Sequence, residues 1–86
     1  MRVVYKGPAR RALTEDLPEA VASAAYEFVN GPLKDNPWRV GKPLAEPFAG
    51  PHAARRGTYR ITYRIRPDKD VIEIHSIRHR RDAYRA

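Results

Sequence analysis

Cysteine is absent from this 86-residue chain. No disulfide can staple the fold, and no thiolate can hold zinc. Folding must come from a hydrophobic core, for which a chain of this size suffices with modest stability. Long apolar runs are missing too. None approaches the roughly 20 residues that a membrane-spanning helix needs, and the stretch from Met1 to Arg10 lacks the apolar centre of a signal peptide. A soluble, cytoplasmic protein is expected. The three histidines, His52, His75 and His79, have no metal-binding spacing such as HExxH. There is no glycine-rich phosphate loop, and Ser23 and Ser76 stand in no His/Asp context that would make a nucleophile. Neither a metal nor a cofactor is expected. No repeat, low-complexity tract or linker divides the chain, so residues 1–86 read as one domain.

Acidic residues are scarce where basic ones are dense. The net charge is +7. Residues 1–54 hold seven Lys/Arg against six Asp/Glu, and residues 55–86 hold ten against four. The last third therefore carries +6 of the +7. Such asymmetry points to a polyanionic partner, most often nucleic acid.

That same third has the clearest secondary-structure signal. Tyr59, Ile61, Tyr63 and Ile65 alternate with Arg60, Thr62, Arg64 and Arg66, the period of a strand. Residues 67–70, PDKD, read as a turn. Val71, Ile72, Ile74 and Ile77 carry a second strand that ends in Arg78, His79, Arg80 and Arg81. A weaker strand spans His52–Arg56. A short strand covers Arg2–Lys6, and Gly7 and Pro8 end it. Ala9, Ala12 and Leu13 make one apolar helical stripe, and Thr14–Leu17 reads as a break. Pro18 opens a second helix with Val21, Ala24, Ala25 and Phe28 on one face, which Gly31 and Pro32 end or kink. Asn36–Pro51, with four prolines, reads as an irregular loop pinned by Trp38, Val40, Leu44 and Phe48.

The expected fold class is α+β: a mostly antiparallel sheet with an N-terminal helical hairpin on one face. The helices should cover Tyr59, Ile61, Tyr63 and Ile65, with Val21 and Phe28 in the same core. The Arg60 face then stays open.

The wording NPWRVGKPL, then ARRGTYRITYRI, then HRRDAYR resembles the RelE/ParE superfamily of type II toxins over nearly the whole chain. It is most similar to the RelE branch found in actinobacteria. The resemblance implies a RelE-like fold and a metal-independent endoribonuclease. Such a toxin cleaves mRNA in the ribosomal A site and is held inactive in a hetero-oligomer by a cognate antitoxin, RelB-like or other. The ParE branch, which inhibits DNA gyrase without RNase chemistry, is the alternative.

The family's residues carry over as follows. Arg60 in GTYR and Arg80 in HRRDAYR fall on its two most recognisable arginine positions. Tyr84 falls on its carboxy-terminal tyrosine, which stacks on or orients the nucleotide. Arg55, Arg56, Arg64, Arg78 and Arg81 would add contacts to RNA. Fixed guanidiniums suit this role because they bind phosphate bidentately and stabilise charge that builds in the transition state. They cannot act as bases. The strand before GTYR carries Arg55 and Arg56 where relatives commonly carry lysines, so proton transfer falls to a group such as His79 or His52. Glu46 reads as a loop-surface residue, and His75, inside a strand, as a packed or face residue.

Overall fold

A computed structural model describes residues 1–44 and 50–79. The elements in order are β1 (Arg2–Tyr5), α1 (Gly7–Arg11), a π-helical turn (Ala12–Asp16), α2 (Glu19–Phe28), a second π-helical turn (Val29–Leu33), α3 (Pro37–Val40), β2 (Lys42–Pro43), β3 (His52–Arg56), β4 (Tyr59–Arg66) and β5 (Val71–His79). The α+β class expected above holds.

The sheet has five strands in the order β1-β5-β4-β3-β2. Strands β2 to β5 pair antiparallel, and β1 joins β5 in parallel. Two turns set the register. Gly57, at φ +58°, takes the left-handed conformation that a two-residue hairpin between β3 and β4 favours. Asp70 does the same at φ +56° before β5, a conformation aspartate tolerates better than most residues. A β-bulge follows Thr62: Thr62 faces Ser76 but Tyr63 faces Ile74, leaving His75 as the extra residue on β5.

The helical arms lie on one face of the sheet. Ala9, Ala12 and Leu17 from the first, with Ala25, Phe28, Val29 and Leu33 from the second, form one core with Tyr59, Ile61, Tyr63, Ile65, Ile72, Ile74 and Ile77. Val21 is partly buried against it. The alternation in β4 thus reads correctly: its four apolar residues are buried, and Arg60 points away, exposed.

Three expectations change. Thr14–Leu17 is not a clean break, since the helix widens into a π turn that closes on the Leu17 N–H···O=C Ala12 bond at 3.0 Å. Gly31 and Pro32 interrupt the second helix rather than end it: its α geometry stops at Phe28 and a π turn over Val29–Leu33 carries the chain on. Pro32 lies inside the other π turn, and a wider turn relieves the clash a proline ring makes with the preceding α-helical turn. Finally, residues 36–51 are not wholly irregular. They contain α3 and β2, which pairs with β3 as Lys42↔Ala53 and Pro43↔His52. Trp38 and Leu44 are not buried pins, being 53% and 44% exposed. Val40 does pack on the core, and Phe48 lies outside the described residues.

What fastens this segment is Tyr63. Its hydroxyl donates to the Pro37 carbonyl at 2.7 Å in a buried site. Gly41 comes so close that a Cβ there would collide with the Tyr63 hydroxyl and sit 2.9 Å from the Ala53 carbonyl oxygen. His52 stacks on the Tyr63 ring at 5.5 Å, and the exposed Trp38 meets His52 edge-on at 5.9 Å.

Tyr63→Phe should leave the Pro37 carbonyl buried without a partner and cost about 1–3 kcal/mol. Gly41→Ala should cost a similar ~1–3 kcal/mol by overpacking. Urea melts of both variants check this. Burial raises the Tyr63 hydroxyl pKa above 10.0, against an opposing effect of the Gly41 backbone amide. The folded state therefore holds that proton more tightly than the unfolded chain. Stability from this source is intact below pH about 10 and falls as pH rises beyond it; the alkaline fall should be shallower in Tyr63→Phe.

Candidate nucleic-acid interface

Cross-strand partners share a face, so the registers assign each side chain to a side of the sheet. On the open face, Arg55, Arg60 and Arg78 form one row across β3, β4 and β5. The next row is Lys42, Ala53, Thr62 and Ser76. Arg64 and Glu73 form a third. Arg55, Arg60 and Arg78 are all exposed. Among the described residues, none of the three forms an ion pair. Directly paired residues have Cα atoms only about 4.5–5.5 Å apart, so like charges are held together here at a cost.

Arg60, Thr62, Ser76 and Arg78 line a cleft of about 270 Å³. Two guanidiniums form one end and two hydroxyls the other. Such a concavity suits a tetrahedral oxyanion with attached sugar, since each guanidinium offers a planar fork of N–H donors.

Acid enters at the opposite end of the face. Glu73 Oε1 lies 3.3 Å from His75 Nε2, and Glu73 Oε2 lies 3.8 Å from Arg66 Nη1, while the other terminal nitrogen of Arg66, Nη2, lies 3.4 Å from Asp68 Oδ2. Burial works to raise the Glu73 pKa, but His75, Lys6 and Arg66 outweigh it and hold the carboxyl below its usual range. The Arg66 hydrogen bond holds Asp68 low as well. Among the described residues, the charge of Arg60 is met by no ion pair, whereas that of Arg66 is partly neutralised.

The structure brings together Arg55, Arg60, Arg64 and Arg78 on this face. It does not bring Arg56 there. Arg56 pairs with Tyr59, on the helix-covered side, and its guanidinium lies 4.9 Å over the Phe28 ring. His79 also pairs with Tyr59, and His52 is buried opposite Tyr63, so neither stands beside Arg60. The histidine on the open face is His75, which the strand pattern alone gave no reason to choose. Arg80, Arg81 and Tyr84, like Glu46, lie outside the described residues. No cluster of His, Cys, Asp and Glu that could hold a metal occurs among the described residues. No helix there is long and apolar enough to cross a membrane.

The fold and part of the sequence match known proteins. The toxin–antitoxin complex RelBE2 from Mycobacterium tuberculosis contains a chain 43% identical to this one, with a TM-score of 0.83. The match covers 92% of this chain and 96% of that one. This protein belongs to the RelE family of toxins. A RelE–RelB complex from Pyrococcus horikoshii is 27% identical, with a TM-score of 0.67, over 99% of this chain and 97% of that one. The isolated RelE toxin of Escherichia coli shares the fold, with a TM-score of 0.71 at 16% identity over 91% of this chain and 82% of that one. A curated RelE toxin of M. tuberculosis is 64% identical over 28 residues, which is 33% of this chain and 29% of that relative's length. No family model matches the chain.

The faces give a direct test. If a polyanion lies on the open side, Arg55→Ala should make the salt dependence of RNA binding shallower by about one unit in log–log slope, and Arg56→Ala should leave it unchanged. Titrating both variants across a salt series checks the assignment.

Proposed function

We propose that this protein is the toxin of a type II toxin–antitoxin pair and an endoribonuclease that cuts mRNA in the ribosomal A site. The observation that carries this reading is the cross-strand pairing of Arg60 with Arg78, with Arg55 beside them on an open face. Family membership supports it. The reading places the protein in the cytoplasm, where messages are translated, and nothing observed favours gyrase inhibition.

In this mechanism the 2′-oxygen attacks the adjacent phosphorus in line, and the bond to the 5′-oxygen of the next nucleotide breaks. Negative charge builds on the non-bridging oxygens. Arg60 and Arg78 meet that charge with preorganised N–H donors. Arg55 and Arg64 hold the flanking backbone. Arg80 and Arg81 add phosphate contacts, and Tyr84 positions the neighbouring base or sugar. The 2′-hydroxyl proton needs an acceptor with a pKa nearer neutrality than arginine's. We assign that role to His75, which does not line the cleft but directly precedes the cleft-lining Ser76 and is held by Glu73, in place of His79.

The antitoxin in this reading lays an acidic segment across the same face. The chains similar to this one in the M. tuberculosis and P. horikoshii structures come from toxin–antitoxin complexes. Association should be steered by charge and slow as salt rises.

Arg60→Ala and Arg78→Ala should each lower single-turnover cleavage on programmed ribosomes by on the order of 10²–10³, equivalent to about 2–4 kcal/mol. Full cleavage by the double variant would end the proposal. His75→Ala should lower cleavage, with His79→Ala close to wild type. The reverse pattern would return the proton transfer to His79.

A further inference from the structure

The two arginines do not account for the whole cleft. Thr62 and Ser76 form its other end, directly paired across β4 and β5. Both are half-buried, and neither hydroxyl makes a hydrogen bond to another described residue. Ala53, next in the row on β3, is small and leaves Thr62 uncovered from that side.

Their chemistry differs from that of the arginines in one respect. A guanidinium only donates, and two of them bring about ten N–H donors to the cleft. A bound phosphate, which only accepts, finds more donors than it can use. The backbone on either side is committed to the sheet ladder. The hydroxyls of Thr62 and Ser76 are thus the groups in the cleft that can accept a hydrogen bond as well as give one. In a nucleic-acid backbone, the group that needs such a partner is the ribose 2′-hydroxyl, which donates and accepts and is what distinguishes RNA from DNA.

We infer that Thr62 and Ser76 form a 2′-hydroxyl-reading subsite beside the phosphate seat, so that this cleft selects ribose over deoxyribose at the binding step. The inference rests on the reading of the open face as an RNA site. It makes the pair specificity-determining residues, separate from the charge stabilisation by Arg60 and Arg78. Distance along the strand fits: Thr62 is two residues from Arg60, roughly 7 Å, about the reach from a phosphate to its own sugar.

The test is competition between a single-stranded RNA oligonucleotide and the all-deoxy oligonucleotide of identical bases, uracil retained, read by fluorescence anisotropy at low salt. The wild-type chain should prefer RNA by about tenfold. Thr62→Val keeps the side-chain shape and strand propensity while removing the hydroxyl. Combined with Ser76→Ala, it should bring the preference to within about twofold by weakening RNA binding alone. Affinity for the deoxy oligonucleotide should stay unchanged and serves as the control for folding. Thr62→Ser should retain the preference. An RNA preference that survives in the double variant overturns the inference, as does equal weakening for both oligonucleotides. A wild-type chain that binds both equally, with Arg60→Ala weakening both, overturns the ribose reading but keeps the phosphate seat. Binding to neither oligonucleotide overturns the RNA reading of the face itself.

Discussion

A strand cannot bury one side without presenting the other. In β4 that constraint decides nearly everything. Tyr59, Ile61, Tyr63 and Ile65 must go under the helices, because they are large apolar side chains that the core buries. Arg60, Thr62 and Arg64 are then obliged to face away. A slip of one residue would bury guanidiniums and strand the tyrosines in water. The hydrophobic register that makes the chain fold is therefore the register that aims its chemistry, and the core and the site cannot be altered independently.

Tyr63 joins the two roles. Its ring lies in the core between His52 and the isoleucines, and its hydroxyl ties down the Pro37–Gly41 segment. That anchoring brings β2 against β3, and β2 puts Lys42 at the end of the Thr62 row. A residue facing the core thus widens the basic face on the far side of the sheet.

Much of this was legible in the residues. The period-two pattern of β4 gave both the strand and its faces, because alternation is a local property. The turn chemistry at Gly57 and Asp70 was also local. Arg56 could have been placed correctly: a two-residue Gly57–Thr58 turn pairs Arg56 with Tyr59, which puts it on the covered side. His79 follows the same parity from Ile77. Other features had no local signal. Strand β2 is two residues long and exists only because β3 is there to pair with it. His75 reaches the open face beside Glu73 through a bulge, and a bulge depends on both strands at once. The first π turn has no local signal, and Pro32 is the hint for the second.

The row of Arg55, Arg60 and Arg78 has a thermodynamic consequence for the molecule when nothing covers it. Three like charges on neighbouring strands push the sheet apart, so the uncovered protein gives up part of its stability to hold them in place. Any anion that neutralises the row returns that stability, by the linkage that lets a ligand of the native state favour folding. In the function proposed above, a bound message and an acidic antitoxin segment would both act as folding agents for this chain. Under that reading its lifetime would depend on what occupies the face as well as on its core, and the uncovered chain would be the form most open to proteolysis.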